Sequence, residues 1–244
     1  MSNDMKKSAL ITGGAKRIGR AIAIYLAENG YDIALHYNTS EKEAQSAKKE
    51  IISLGRKCNL YKLNLHNNRD LTSFIKKVKM SFPGLSILIN NASIFEEGRF
   101  LETDLSLLNK HFNINFKAPF LLSQGFARYC KKGQIINLLD TNIKRTKTKY
   151  LAYNLSKKLL FEFTKMAALE LAPNIRVNAI APGPILPPPG KDIKYLQEKG
   201  GVVPLQRNGE IKNIIQGVNF LIENDYVTGQ CIFIDGGKHL LQNQ

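Results

Sequence analysis

The sequence predicts an α/β fold: a doubly wound parallel sheet of about seven strands, covered by helices on both faces. Three observations carry this. Short apolar runs such as SALIT, DIALHY and GQIINLLD alternate with longer stretches of helical period. Those runs are continuously apolar rather than alternating, the pattern of strands buried on both faces. Strand followed by helix, repeated, builds parallel pairs joined by right-handed crossovers.

Taken in order, SALIT (8–12) is the first strand, and a helix from about Arg17 to Asn29 follows, closed by Gly30. DIALHY (32–37) is the second strand. The next helix begins at Ser40, an N-cap with Glu43 three residues on, and ends at Gly55. CNLYKLNL (58–65), the helix NRDLTSFIKKVKMSF, and LSILINNAS (85–93) come next. One long helical region is expected from about Leu105 to Tyr129, then a strand at 133–140 and a long helix at 150–172. IRVNAIAPG (175–183) precedes a Pro-rich loop with three consecutive prolines, which stiffen it, and a short helix. A helix at 210–223 and the strand QCIFIDGG (230–237) complete the chain.

The 244 residues show no linker and no break in composition, so residues 1–244 read as a single domain. Cys58, Cys130 and Cys231 are odd in number and scattered, which fits a reduced cytoplasmic protein and neither a disulfide framework nor a metal site. The N-terminus runs into the first strand without room for a signal peptide, and no apolar run is long enough to span a bilayer. The net charge of +15 invites a nucleic-acid reading. Its lysines are spread along the predicted helices rather than clustered, which describes solvated helix faces instead.

Open parallel sheets take ligands beyond the carboxyl ends of their strands, where strand order reverses. The residues there are Thr12–Gly19, His36–Ser40, Asn64–Leu65, Asn90–Phe95, Asp140 and Pro182–Gly183. Gly13, Gly14 and Gly19 stand between a strand and a helix, as in a loop that cradles a dinucleotide pyrophosphate, and Arg17 sits among them. An acid at the end of the second strand would hold a ribose 2′-hydroxyl; His36 stands there, and Asp32 lies at the wrong end. With Arg17 and Lys16 near, and a hydroxyl at Ser40, the site suits a 2′-phosphate and hence NADPH. Tyr153 and Lys157 are four apart on one helix face, where an ammonium would lower the phenol pKa from about 10. Taken singly, these features also fit an ordinary turn, a surface arginine and an amphipathic helix face.

In combination, the loop Thr12–Gly19, Asn90-Asn91-Ala92, Asn115, Tyr153-x-x-x-Lys157, Pro182-Gly183 and YVTGQCIFIDGG resemble the short-chain dehydrogenase/reductase family over essentially the whole chain. The resemblance implies a Rossmann-type oxidoreductase, usually a homotetramer, with Tyr153 as proton donor and Lys157 on the nicotinamide ribose. It implies a relay water at Asn115. It also implies a cofactor site from Gly13, Arg17, Ile18, Gly19, His36, Tyr37, Asn38, Ser40, Asn64, Leu65, Asn90, Ala92, Tyr153, Lys157, Pro182 and Gly183. Most members carry a serine about 13 residues before the tyrosine; here that residue is Asp140. Asp140, Arg17, the HYNTS strand end and NNASIF resemble the pteridine reductases and related bacterial dihydromonapterin/dihydrofolate reductases. That implies a pterin or folate as substrate, bound by Arg17, Ser93, Phe95, Asp140 and Tyr153, with Phe95 stacked on the pterin ring and Asp140 assisting protonation. A carbonyl reductase acting on 3-oxoacyl thioesters and a non-catalytic NADP(H)-binding sensor are the alternatives. Lys144, Arg145, Lys147 and Lys149 follow Asp140 and are expected near the mouth of the site, where they could attract an anionic substrate tail.

Overall fold

The computed structural model describes residues 6–67, 69, 71–187, 194, 196 and 203–241. Seven strands form one parallel sheet: β1 Ser8–Ile11, β2 Asp32–Tyr37, β3 Cys58–Lys62, β4 Leu85–Asn90, β5 Gly133–Leu138, β6 Ile175–Pro182 and β7 Cys231–Ile234. Their order is β3-β2-β1-β4-β5-β6-β7. Strand order therefore reverses between β1 and β4, and Ile11 pairs there with Leu35 on one side and Ile89 on the other.

The helices are α1 Arg17–Glu28, α2 Glu41–Ser53, α3 Leu71–Ser81, α4 Leu105–Phe112, α5 Ala118–Cys130, α6 Leu151–Leu171 and α7 Ile211–Glu223. Successive residues of each strand face opposite layers. Ile11, Ile33, Leu35, Ile89, Ile136 and Ile180 pack with buried residues of α1, α2 and α7. Leu10, Ala34, Leu88, Ile135 and Val177 pack with those of α3, α5 and α6. Both sides of the sheet are thus dry, which is why the strand sequences do not alternate. Each Ile or Leu buried this way contributes about 1.5–3 kcal/mol.

The single helix expected over 105–129 is interrupted. Asn113–Lys117 form a π-helical turn between α4 and α5. The Ala118 N–H reaches back five residues to the Asn113 carbonyl. Pro119 has no N–H to offer the Asn115 carbonyl four residues before it, so ordinary α register cannot run through this point. Ser40 occupies the N-cap position of α2, but its hydroxyl makes no capping bond. The short helix expected after the Pro-rich loop, and most of that loop, lie outside the described residues.

Candidate active site

The loop after β1 is tied to the end of β4. Thr12 Oγ1 accepts from the N–H groups of Asn91 at 2.9 Å and Ala92 at 3.0 Å. The Asn91 amide in turn donates to the carbonyls of Thr12 at 2.8 Å and Gly13 at 3.1 Å. A side chain at Gly19 would collide with Asn91 and the Gly13 carbonyl. Gly13 (φ +61°) and Arg17 (φ +57°) both adopt left-handed backbone. Arg17 therefore occupies a conformation that favours glycine, at a cost of about 1–2 kcal/mol. No side chain caps the start of α1 and no acid lies in its first turn. Its N–H groups and dipole are left to receive an anion. Ile18 is partly buried behind them. The Arg17 guanidinium donates to the Pro187 carbonyl at 2.7 Å, bridging this loop to the segment after β6.

His36 turns away from the expected phosphate position. It is 2 % exposed. Its Nδ1 accepts from the Gly13 N–H at 3.1 Å, and its Nε2 lies 2.9 Å from the Leu63 carbonyl, to which it must donate. Burial lowers its pKa to about 4, so the ring is neutral and braces the loop from below. Tyr37 and Leu65 also point into the core, leaving their main chain to face a ligand. Asn64 accepts from the His66 N–H at 2.9 Å in a local turn. Asn38 is exposed, and the Ser40 hydroxyl is free of capping duty. Asn90 lies deep, donating to Asn137 Oδ1 at 2.8 Å, and Asn137 continues to Thr164 at 2.9 Å. Ala92 is partly buried beside the loop.

Beyond β5 and at the first two turns of α6, three side chains meet. The Tyr153 hydroxyl donates to Asp140 Oδ2 at 2.9 Å. Asp140 Oδ1 accepts from the Asn142 N–H at 2.7 Å, which fixes the carboxylate at the head of a short turn. Lys157 Nζ donates to the Leu138 carbonyl at 2.8 Å. Burial lowers the Lys157 pKa to about 8, against the opposing pull of Asp140. The phenol departs from the expected acidity. Burial, then the Asp140 charge and hydrogen bond, push Tyr153 well above its ordinary value, and outweigh the ammonium 5.9 Å from the ring. The tyrosine is held protonated, as a proton donor must be.

Phe95 stacks on Tyr150 with centroids 4.2 Å apart and stands edge-on to Tyr153 at 4.7 Å. Its ring remains partly exposed, at 37 %. Ser93 donates to Asn115 Oδ1 at 3.2 Å. The Asn115 amide is fully used: it also accepts from the Ile94 N–H at 3.0 Å and donates to the Ile94 carbonyl and Ser156 Oγ, both at 3.1 Å. A relay water at this residue would have to be held by its main chain, where Pro119 withholds the usual helical donor.

Residues 13–239 match the family model described as enoyl-(acyl carrier protein) reductase. The chain is 32% identical over 247 residues to the 3-oxoacyl-[acyl-carrier-protein] reductase FabG of Staphylococcus epidermidis, covering 97% of this chain and 100% of the relative. It is 33% identical to the solved FolM alternative dihydrofolate reductase 1 from Brucella suis in complex with NADP. That structure superposes with a TM-score of 0.92, over 98% of this chain and 97% of the other. A blue fluorescent protein from a metagenomic library, solved in complex with NADPH, matches at 30% identity and a TM-score of 0.87, over 95% of this chain and 97% of the other.

The chain belongs to the short-chain dehydrogenase/reductase family. Within this oxidoreductase fold, Pro182 ends β6, and the Gly183 N–H donates to Ile234 at 2.9 Å. A Cβ at Gly183 would stand 2.5 Å from the Asp235 Cα. Asp235 is buried and accepts from Thr141, Gly237 and His239, joining the Asp140 turn to the C-terminal segment. Two cations of the basic loop have partners within the chain. Lys144 lies over the Phe161 ring at 5.1 Å, and Lys149 pairs with Glu97 at 3.2 Å. Arg145 is 9 % exposed, and its Nε donates to no partner among the described residues. Sequence reasoning missed Tyr150 and His111. Tyr150 stands three residues before Tyr153 and His111 four before Asn115, so helical spacing alone places both beside recognised site residues.

Proposed function

We propose that this chain, a single domain over residues 1–244, is an NADPH-dependent reductase of pterins. It would take a dihydropterin, dihydromonapterin or dihydrofolate to the tetrahydro form. The observation that carries this reading is the Tyr153–Asp140 hydrogen bond of 2.9 Å beneath the partly exposed Phe95 ring. A flat heteroaromatic substrate would stack on the side of Phe95 turned away from Tyr150, and its ring nitrogen would have a proton source beside it. The likeness to a structure named as a dihydrofolate reductase in complex with NADP supports it.

The uncapped start of α1, its glycine turn and the acid-free end of β2 fit a dinucleotide carrying a 2′-phosphate. When bound, NADPH supplies a hydride to the carbon of the C=N bond. Arg17, Asn38 and Ser40 would hold its phosphates, and Lys157 its nicotinamide ribose. The chain itself supplies the proton. Tyr153 is almost fully enclosed while Asp140 keeps partial exposure, so the pair refills from solvent through the carboxylate. Serine, the usual residue at this position, serves a carbonyl oxygen as a neutral donor; an acid suits a basic nitrogen.

The curated relative named as a 3-oxoacyl-[acyl-carrier-protein] reductase favours a second reading, reduction of 3-oxoacyl thioesters. NADPH oxidation should be measured with dihydrobiopterin, dihydromonapterin, dihydrofolate and an acetoacetyl thioester. Turnover of the thioester alone would overturn the pterin reading. NADPH binding without any turnover would make the chain a sensor. We also propose a cytoplasmic homotetramer. Phe120 of α5 and Leu155, Leu159, Met166 and Leu169 of α6 expose apolar surface that a second copy would cover. Light scattering checks the assembly.

A further inference from the structure

We infer that His111 is a positioning residue for substrate stacking: it fixes the main chain at Glu96 and thereby sets the Phe95 ring over Tyr153. The inference rests on the pterin reading of the site. His111 lies in the last turn of α4 and is fully buried. Its Nδ1 is 3.0 Å from the Leu107 carbonyl, which can only accept, so Nδ1 carries the proton. The bare Nε2 then accepts the Glu96 N–H at 3.2 Å. Burial lowers its pKa, in keeping with that neutral tautomer; Glu96 and Lys110, an ion pair with each other at 2.7 Å, are the charges beside it.

The segment 94–98 is pinned at every second residue. Asn115 holds both main-chain groups of Ile94. His111 holds Glu96. Gly98 donates to the Lys149 carbonyl and accepts from Leu151, both at 3.0 Å. An extended chain sends alternate side chains to opposite sides. Pins at Ile94, Glu96 and Gly98 therefore turn Phe95 and Glu97 outward together, Phe95 to the two tyrosines and Glu97 to Lys149. Removal of the middle pin leaves Phe95 on an unsupported span. The ring would lose its fixed place, while Asp140 and Lys157 keep theirs; His111 also stands edge-on to Tyr153 at 6.4 Å, so the variant side chain must keep that contact filled. His111 and Asn115 share one helical face, so the same face orders the stacking segment at both Ile94 and Glu96.

The test uses the full chain as wild type, His111→Leu and His111→Gln. Leucine keeps apolar volume but removes the acceptor; glutamine carries an oxygen near the Nε2 position. With His111→Leu, exchange of the Glu96 amide hydrogen should accelerate at least tenfold. The dihydropterin KM should rise about tenfold, the scale set by one lost buried hydrogen bond. NADPH affinity should be unchanged, and His111→Gln should restore both the amide protection and the KM. A Glu96 amide as protected in His111→Leu as in wild type would overturn the role of His111, whatever the turnover. A freed amide with an unchanged pterin KM would overturn its role in stacking. Wild type that turns over no pterin sinks the substrate reading instead, which the amide exchange distinguishes. Should His111→Leu not fold, the nitrogen-15 shifts of His111 in wild type still decide: a proton on Nε2 rather than Nδ1 would refute the proposal.

Discussion

Lowering the pH from about 7.5 to about 5 should cost the fold about 2 kcal/mol through one side chain, His36. Its pKa is lowered by burial to about 4 in the folded protein, against about 6.5 in an unfolded chain. Between those values the unfolded chain binds a proton that the folded one does not. Stability is therefore fully present above about 6.5 and lost as pH falls toward about 4. At about 1.4 kcal/mol per pH unit the whole window is worth about 3 kcal/mol, of which about 2 is spent by pH 5. The physical cost is specific. A proton on Nδ1 would face the Gly13 N–H that now donates to it at 3.1 Å. The assay is urea unfolding of wild type and His36→Gln at both pH values. Other groups titrate in both proteins, so the difference between their pH-dependent losses isolates His36. Equal losses would refute the reasoning. The same tether predicts that NADPH affinity weakens in wild type more than in His36→Gln as the pH falls from about 5 toward about 4, where the folded ring takes up its proton and the loop that would receive the pyrophosphate loses its brace.

Arg17→Ala should lower the ratio of kcat/KM for NADPH over NADH by about tenfold, the worth of one charge-assisted phosphate contact; a wild type that uses both cofactors equally would remove the basis for this. Asp140→Ser should depress dihydropterin turnover at least tenfold with the melting temperature nearly unchanged; wild-type rates would reduce the aspartate to a turn-capping residue. Tyr153→Phe should abolish turnover while NADPH still binds, which fluorescence of the bound cofactor can check. Because Lys144 rests on Phe161 and Lys149 pairs with Glu97, a Lys144/Arg145/Lys147 triple alanine variant should lose activity toward dihydrofolate, and chiefly at low salt, only if the remaining charges face the tail; equal effects on dihydrofolate and an uncharged pterin would return them to the solvated surface.

Much was legible because it is local. Unalternating apolar strands report a sheet buried on both sides, and DIALHY was placed to the residue: β1 pairs with Asp32–Leu35 and β3 with Ile33–Tyr37, which together span the strand. The last strand was overextended: of QCIFIDGG only Cys231–Ile234 pairs, and Asp235 turns inward to bind Thr141 and His239. The break in the helix at Asn113–Lys117 was also readable in principle, since Pro119 stands four residues beyond Asn115.

What the sequence by itself determined, then, is the alternation of strands and helices, the glycine turn before α1 and the Tyr153–Lys157 spacing, each a matter of short-range sterics and periodicity. Only the tertiary structure decided which way the chemistry points. His36 occupies the position of a cofactor residue, yet the buried depth of β2 and the Leu63 carbonyl across the sheet draw its ring inward. Tyr153 has a lysine one turn away, yet Asp140, 13 residues distant in sequence, reaches its hydroxyl and keeps the proton on it. His111 looks like one more polar residue on a helix until the fold closes the Glu96 amide onto it. Hydrogen bonds and desolvation act through space, and no residue's pKa or partner is set until the strands that carry its neighbours are in register.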